Sequence, residues 1–182
     1  TDPGKCYFTI PGTEFDLSNI QDNCTTLTPT YVITKNGSTF LTGSNSLAGK
    51  QLPKDAANPY EIVWTLSDAN GNTVVAHEFS ISVTDNQAPL FVCYGNESRT
   101  IGAGACKYVI SGTEFDARSI TDNCDDLADL TISYTLDGVS GGTSKTLAGI
   151  ELLGGVHPVV WTVTDKSGNS TSCSFNIRVG DP

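Results

Sequence analysis

The chain has 182 residues, with 20 acidic against 10 basic side chains, a net charge of −10, six cysteines and no methionine. That balance excludes a nucleic-acid binder, whose phosphate partner demands a basic footprint, and no apolar run approaches the roughly 18 residues that a membrane-inserted helix needs. Two domains of roughly 90 to 100 residues fit the length, each large enough for a two-layer core.

In chain order, β-forming residues cluster at 7–10, 30–34, 61–66 and 79–83, and again at 90–93, 107–110, 130–135, 159–163 and 174–179. Asn36-Gly37, Asp137-Gly138, Gly141-Gly142 and two D-x-x-G-N turns, at 68–72 and 165–169, punctuate them with the residues that tight hairpins require. In the last run Phe175, Ile177 and Val179 alternate with Ser174, Asn176 and Arg178, the period of a sheet with one face in the core and one in water. Residues 18–21 allow one short helical turn, and no other stretch carries a helical period. Trp64 and Trp161, flanked by valine and leucine in mid-strand, read as core. The expected fold class is all-β: two tandem immunoglobulin-like antiparallel sandwiches with Greek-key connections, arranged end to end.

The halves repeat one another. Residues 6–24 read CYFTIPGTEFDLSNIQDNC and residues 106–124 read CKYVISGTEFDARSITDNC; Leu47-Ala-Gly49 returns as Leu147-Ala-Gly149, and Val63-Trp64-Thr65 as Val160-Trp161-Thr162. A linker at Asp85-Asn-Gln-Ala-Pro89 sets the domains at 1–85 and 86–182, because Pro89 cannot join a ladder. The first copy lacks a counterpart to the run at 90–93, so its opening strand is expected upstream, as is any export signal. Asp181 repeats Asp85 and reads as the start of a further linker. A plan that repeats suits a spacer, holder or binder better than a reaction vessel.

No C-x-x-C pair exists and the two histidines lie far from the cysteines, which argues against zinc and for disulfides in an oxidising compartment. Comparing the copies pairs Cys6 with Cys24 and Cys106 with Cys124, and leaves Cys93 for Cys173. The counterpart of Cys173 is His77 and that of Cys93 falls before residue 1, so the first domain is expected to be the weaker one. Each short bridge would stabilise by about 3 kcal/mol and the long one by more.

Asp22 and Asp122, Asp16 and Asp116, and Asp68 and Asp165 occupy loops that an immunoglobulin-type topology gathers at one pole, and Asp85 of the linker arrives at the same pole in the second domain. Such oxygen sets suit Ca²⁺, which accepts six to eight ligands in irregular geometry. The structural alternative is that these aspartates cap their own turns. No enzyme signal competes: His77 and His157 belong to no nucleophile motif, paired cysteines leave no thiolate, and no phosphate loop precedes a helix.

The pattern Ala88-Pro-Leu-Phe-Val-Cys93, Gly104-Ala-Cys106, Asp122-Asn-Cys124, Thr164-Asp-Lys-Ser-Gly-Asn169 and Cys173-Ser-Phe175 resembles the hyalin repeat, an immunoglobulin-like extracellular module. It covers residues 86–182 fully and 6–85 with a departure at His77. Within that family the long D-N-C loop and acidic balance most resemble the gliding adhesins of Bacteroidetes. The resemblance implies a secreted, non-catalytic module of a long cell-surface adhesin or stalk. Its partners would be neighbouring repeats of the same chain and a surface polysaccharide or other adhesion target, and each chain is expected to be a monomer. The competing expectation is a carbohydrate-binding module, which needs an exposed platform from Tyr7, Tyr31, Tyr60, Tyr94, Tyr108 or Tyr134.

Overall fold

Aromatic and β-branched residues at a period of two build the long strands of this all-β chain. The structure, a computed structural model, describes residues 1–142 and 144–180; Asp181, expected to open a further linker, lies outside them. The chain divides into two units, Thr1–Asp85 and Asn86–Pro182.

The first unit contains β1 (Tyr7–Thr9), β2 (Thr28–Lys35), β3 (Ser38–Ser44), β4 (Gln51–Pro53), β5 (Asp55–Ser67) and β6 (Thr73–Val83). One sheet has the order β3-β2-β5-β6, and β1 pairs with β4 to form the second layer. Ile10 and Leu52 from that layer meet Tyr31, Ile33, Ile62 and Trp64 of the larger sheet in a single core. The second unit contains β7 (Leu90–Val92), β8 (Glu97–Thr100), β9 (Tyr108–Val109), β10 (Arg118–Thr121), β11 (Thr131–Leu136), β12 (Val139–Ser140), β13 (Glu151–Leu152), β14 (Gly155–Thr164) and β15 (Ser170–Gly180). Its larger sheet runs β12-β11-β14-β15-β8, faced by the pairs β7–β10 and β9–β13. Every pairing is antiparallel except β8 on β15. Both units are immunoglobulin-like sandwiches.

Phe175, Ile177 and Val179 are buried while Ser174, Asn176 and Arg178 face solvent, as their alternation requires. Trp64 and Trp161 are 0% and 1% exposed. Each indole also crosses between layers: Trp64 Nε1–H donates to the Phe15 carbonyl at 3.0 Å and Trp161 Nε1–H to the Phe115 carbonyl at 2.9 Å. A buried indole without such an acceptor would lose its hydrogen bond to water uncompensated. The tryptophans therefore hold the Gly-Thr-Glu-Phe-Asp loops of both copies in place. Beside them, Tyr31 and Tyr134 lie so close over Gly43 and Gly141 that an added Cβ would come within 2.2 and 2.0 Å of the phenol ring or its oxygen.

Two local expectations are corrected. Among the described residues there is no helix. Residues 18–21 form none because Asn19 takes a left-handed φ of 55°, and their counterparts instead form β10, which β7 pairs. The Cys93–Cys173 bridge is present, but Cys24 and Cys106 are exposed free thiols, so neither Cys6–Cys24 nor Cys106–Cys124 forms. The sulfurs of Cys6 and Cys124 are already engaged in disulfide bonding, which leaves Cys24 and Cys106 as thiols. At the Cys173 register, His77 faces Trp64 as Cys173 faces Trp161, and its ring lies 5.3 Å from that of Phe79.

His157, at the start of β14, gives the second unit a pH dependence. Its Nδ1 is 2.8 Å from Asp137 Oδ2 and its Nε2 2.9 Å from the Leu153 carbonyl. Partial burial disfavours the imidazolium, but the two acceptors prevail and hold the pKa above its ordinary 6.5. A raised folded-state pKa stabilises fully below the unfolded value and is lost as pH rises through the folded one. We expect the second unit's melting temperature to fall as pH rises above the ordinary imidazole value of 6.5, and His157→Gln to flatten that slope; a slope retained in the variant would assign it elsewhere.

Candidate metal centre

The Asp-x-Cys turn and the D-x-x-G-N turn are the two local structures that build the site. In the second unit Asp122 Oδ1 accepts the N–H groups of Cys124 and Asp125 at 2.9 and 2.8 Å. Asp165 Oδ1 accepts the Asn169 N–H and its Oδ2 the Asn169 Nδ2, both at 2.7 Å, while Gly168 supplies the left-handed φ of 90° that closes the turn. The turns are fastened together: Asp125 Oδ2 accepts the Lys166 N–H at 2.8 Å, and Lys166 Nζ meets Asp129 at 2.8 Å. This self-capping accounts for one oxygen of Asp122 and leaves Oδ2, buried and without a hydrogen-bond partner.

One carboxylate oxygen each from Asp85, Asp122 and Asp165 lie within 4.8 Å of one another. Asp85 and Asp165 are 4% and 6% exposed. Asp85, the residue that leads into the linker, has Lys54 Nζ at 4.0 Å from Oδ2 and Thr1 Oγ1 at 3.4 Å from Oδ1. Two unit charges at 4.8 Å repel by about 3 kcal/mol at an effective dielectric of about 20. Three carboxylates held this close are therefore costly unless protons or a cation share their charge. A hard divalent cation fits the donor set: all three groups offer carboxylate oxygen, and a buried oxygen stands without a donor.

The remaining candidate aspartates are elsewhere. Asp16 Oδ1 accepts the Leu47 N–H at 2.7 Å and Asp116 Oδ1 the Leu147 N–H at 2.8 Å, so both brace their loops against the Leu-Ala-Gly turn. Asp22 and Asp68 line one hollow of about 270 Å³ in the first unit. The N–H groups of Cys24 and Thr25 hold Asp22 below the usual carboxylate range, against the opposing charge of Asp68. The side chain and backbone of Asn72 do the same for Asp68. That pair reproduces Asp122 and Asp165 in solvent. Among the described residues, the group Asp85, Asp122 and Asp165 alone brings three such ligands together. Glu114 is engaged by Arg99 at 3.1 Å, by Tyr108 and by the Ser111 N–H.

No protein-family profile matches the sequence, and no curated protein matches it. Among solved structures, the fibronectin(III)-like modules of Clostridium thermocellum CbhA align over 89% of this chain and 83% of theirs, at 13% identity and a TM-score of 0.37. Sidekick-1 immunoglobulin domains 1–4 align over 85% of this chain and 44% of theirs, at 13% identity and 0.35. Drosophila N-cadherin EC1-4 aligns over 74% of this chain and 37% of its own, at 22% identity and 0.27. The strand order defines the class: a tandem immunoglobulin-like sandwich protein.

Proposed function

We propose that this chain is a non-catalytic extracellular repeat module, part of a long cell-surface adhesin or stalk of the hyalin-repeat type, in which Asp85, Asp122 and Asp165 hold one Ca²⁺ ion. The observation that carries the reading is the buried, unpartnered Asp122 Oδ2 within the three-carboxylate group. The Cys93–Cys173 bridge agrees with an oxidising, exported environment. Bound Ca²⁺ would neutralise the three clustered carboxylates. Neighbouring repeats of the same chain and a surface polysaccharide or another adhesion target are the partners that such a module would meet. A carbohydrate-binding sheet face is less well supported, because Tyr31, Tyr60 and Tyr134 are core residues.

Calorimetric titration of the chelator-treated protein should show one Ca²⁺ per chain, with Mg²⁺ weaker because it demands tighter octahedral geometry. Asp122→Asn keeps the acceptor for the turn but removes a ligand charge, and should weaken Ca²⁺ at least about tenfold. Absence of heat with Ca²⁺, or an unchanged affinity in Asp122→Asn, would remove the metal from the account.

A further inference from the structure

We propose that the second unit carries a binding site for a carboxylate-bearing saccharide, in the hollow between Tyr94, Arg118 and Lys145. The hollow encloses about 870 Å³, within the range of small-ligand sites. It belongs wholly to the second unit and does not include the metal candidates Asp122 and Asp165. Its lining includes apolar Ile120 and Leu127, the latter 56% exposed. Two cations and one acid stand on its walls: Arg118, Lys145 and Asp116.

Three features give the hollow its chemistry. First, Arg118 and Lys145 form no ion pair among the described residues, in a chain whose net charge is −10. Arg118 is instead ordered by stacking, its guanidinium carbon 4.1 Å from the centre of the Tyr94 ring, which leaves its fork of donors for a planar carboxylate. Second, apolar Ile120 and Leu127 beside the acceptor Asp116 suit a sugar ring, with its C–H face on the apolar side chains and its hydroxyls donating to the carboxylate. A bare inorganic anion would use the cations alone and gain nothing from the apolar lining or from Asp116.

Third, the duplication acts as an internal control. The first unit keeps Asp16, Ile20 and Leu27 at the counterparts of Asp116, Ile120 and Leu127, yet has Ser18 for Arg118 and Asn45 for Lys145. The sandwich therefore forms without these cations. Their presence in one copy is a property of that copy's surface and not of the fold.

The test is a ¹H–¹⁵N NMR titration of the whole 182-residue chain in EDTA, so that its outcome is independent of the metal reading. The probes are glucuronate, galacturonate and N-acetylneuraminate, with glucose and sulfate as controls. At least one sugar acid should shift the amides of Arg118, Ile120 and Lys145, and bind at least about tenfold more tightly than glucose, the gain of one charge-assisted bidentate contact, and than sulfate, which has no ring to lie on Ile120 and Leu127. Arg118→Ser with Lys145→Asn, the residues of the first unit, should abolish the response; Lys145→Asn alone, at an exposed position, should weaken it. Silence toward all three acids, an equal response to glucose, an equal response to sulfate, or binding that survives the double variant would each overturn the proposal.

Discussion

Replacing Cys93 and Cys173 together by alanine should lower the stability of the second unit by about 4 to 5 kcal/mol, the chain-entropy value for a loop of 80 residues. For a unit of this size that corresponds to a fall of roughly 20 °C or more in melting temperature. The bridge joins the segment after β7, which pairs with β10 in one layer, to the middle of β15 in the other. Losing it frees the opening strand in the unfolded chain and unpins it in the folded one. Chemical denaturation resolved by amide signals from each unit measures the effect separately. A loss below about 1 kcal/mol would mean that packing alone holds the opening strand.

Trp161→Ala should cost the second unit about 3 to 5 kcal/mol from the cavity alone. The indole is 1% exposed, its ring is 5.1 Å from that of Tyr134, and its N–H is the donor to the Phe115 carbonyl. The carbonyl left unpaired adds to the cavity term. Trp161→Phe separates the two contributions, since it keeps an aromatic ring and removes only the donor and one ring's volume. The loop of residues 114–116 should lose amide protection in both variants. If Trp161→Phe proved as stable as the parent, the indole hydrogen bond would contribute little.

The long strands were legible in the sequence because each shows the core one face at a period of two, as 174–179 does. Several of the strands missed are defined by their partner and not by their pattern. β8, Glu-Ser-Arg-Thr, has no apolar face and exists because it runs beside β15; β13 is a two-residue pairing on β9, whose own run at 107–110 the sequence did mark. Among the acids, the sequence marked seven aspartates alike. What distinguishes Asp16 and Asp116 is a hydrogen bond to an amide 31 residues away, a relation that no local spacing encodes. Cys24 and Cys106 teach the same lesson, since duplication reveals which positions correspond and leaves open which ones meet. The cations of the second unit's hollow had a readable signal, the exchange of Ser18 for Arg118 and Asn45 for Lys145 between otherwise matching segments.

Hydrogen exchange at the linker amides 85–88, followed with saturating Ca²⁺ and again with excess EDTA, bears most directly on the idea that three aspartates clamp this segment through a metal ion. Slower exchange with Ca²⁺, reversed by EDTA and missing in Asp122→Asn, is the predicted result. Identical exchange in both solutions would contradict it.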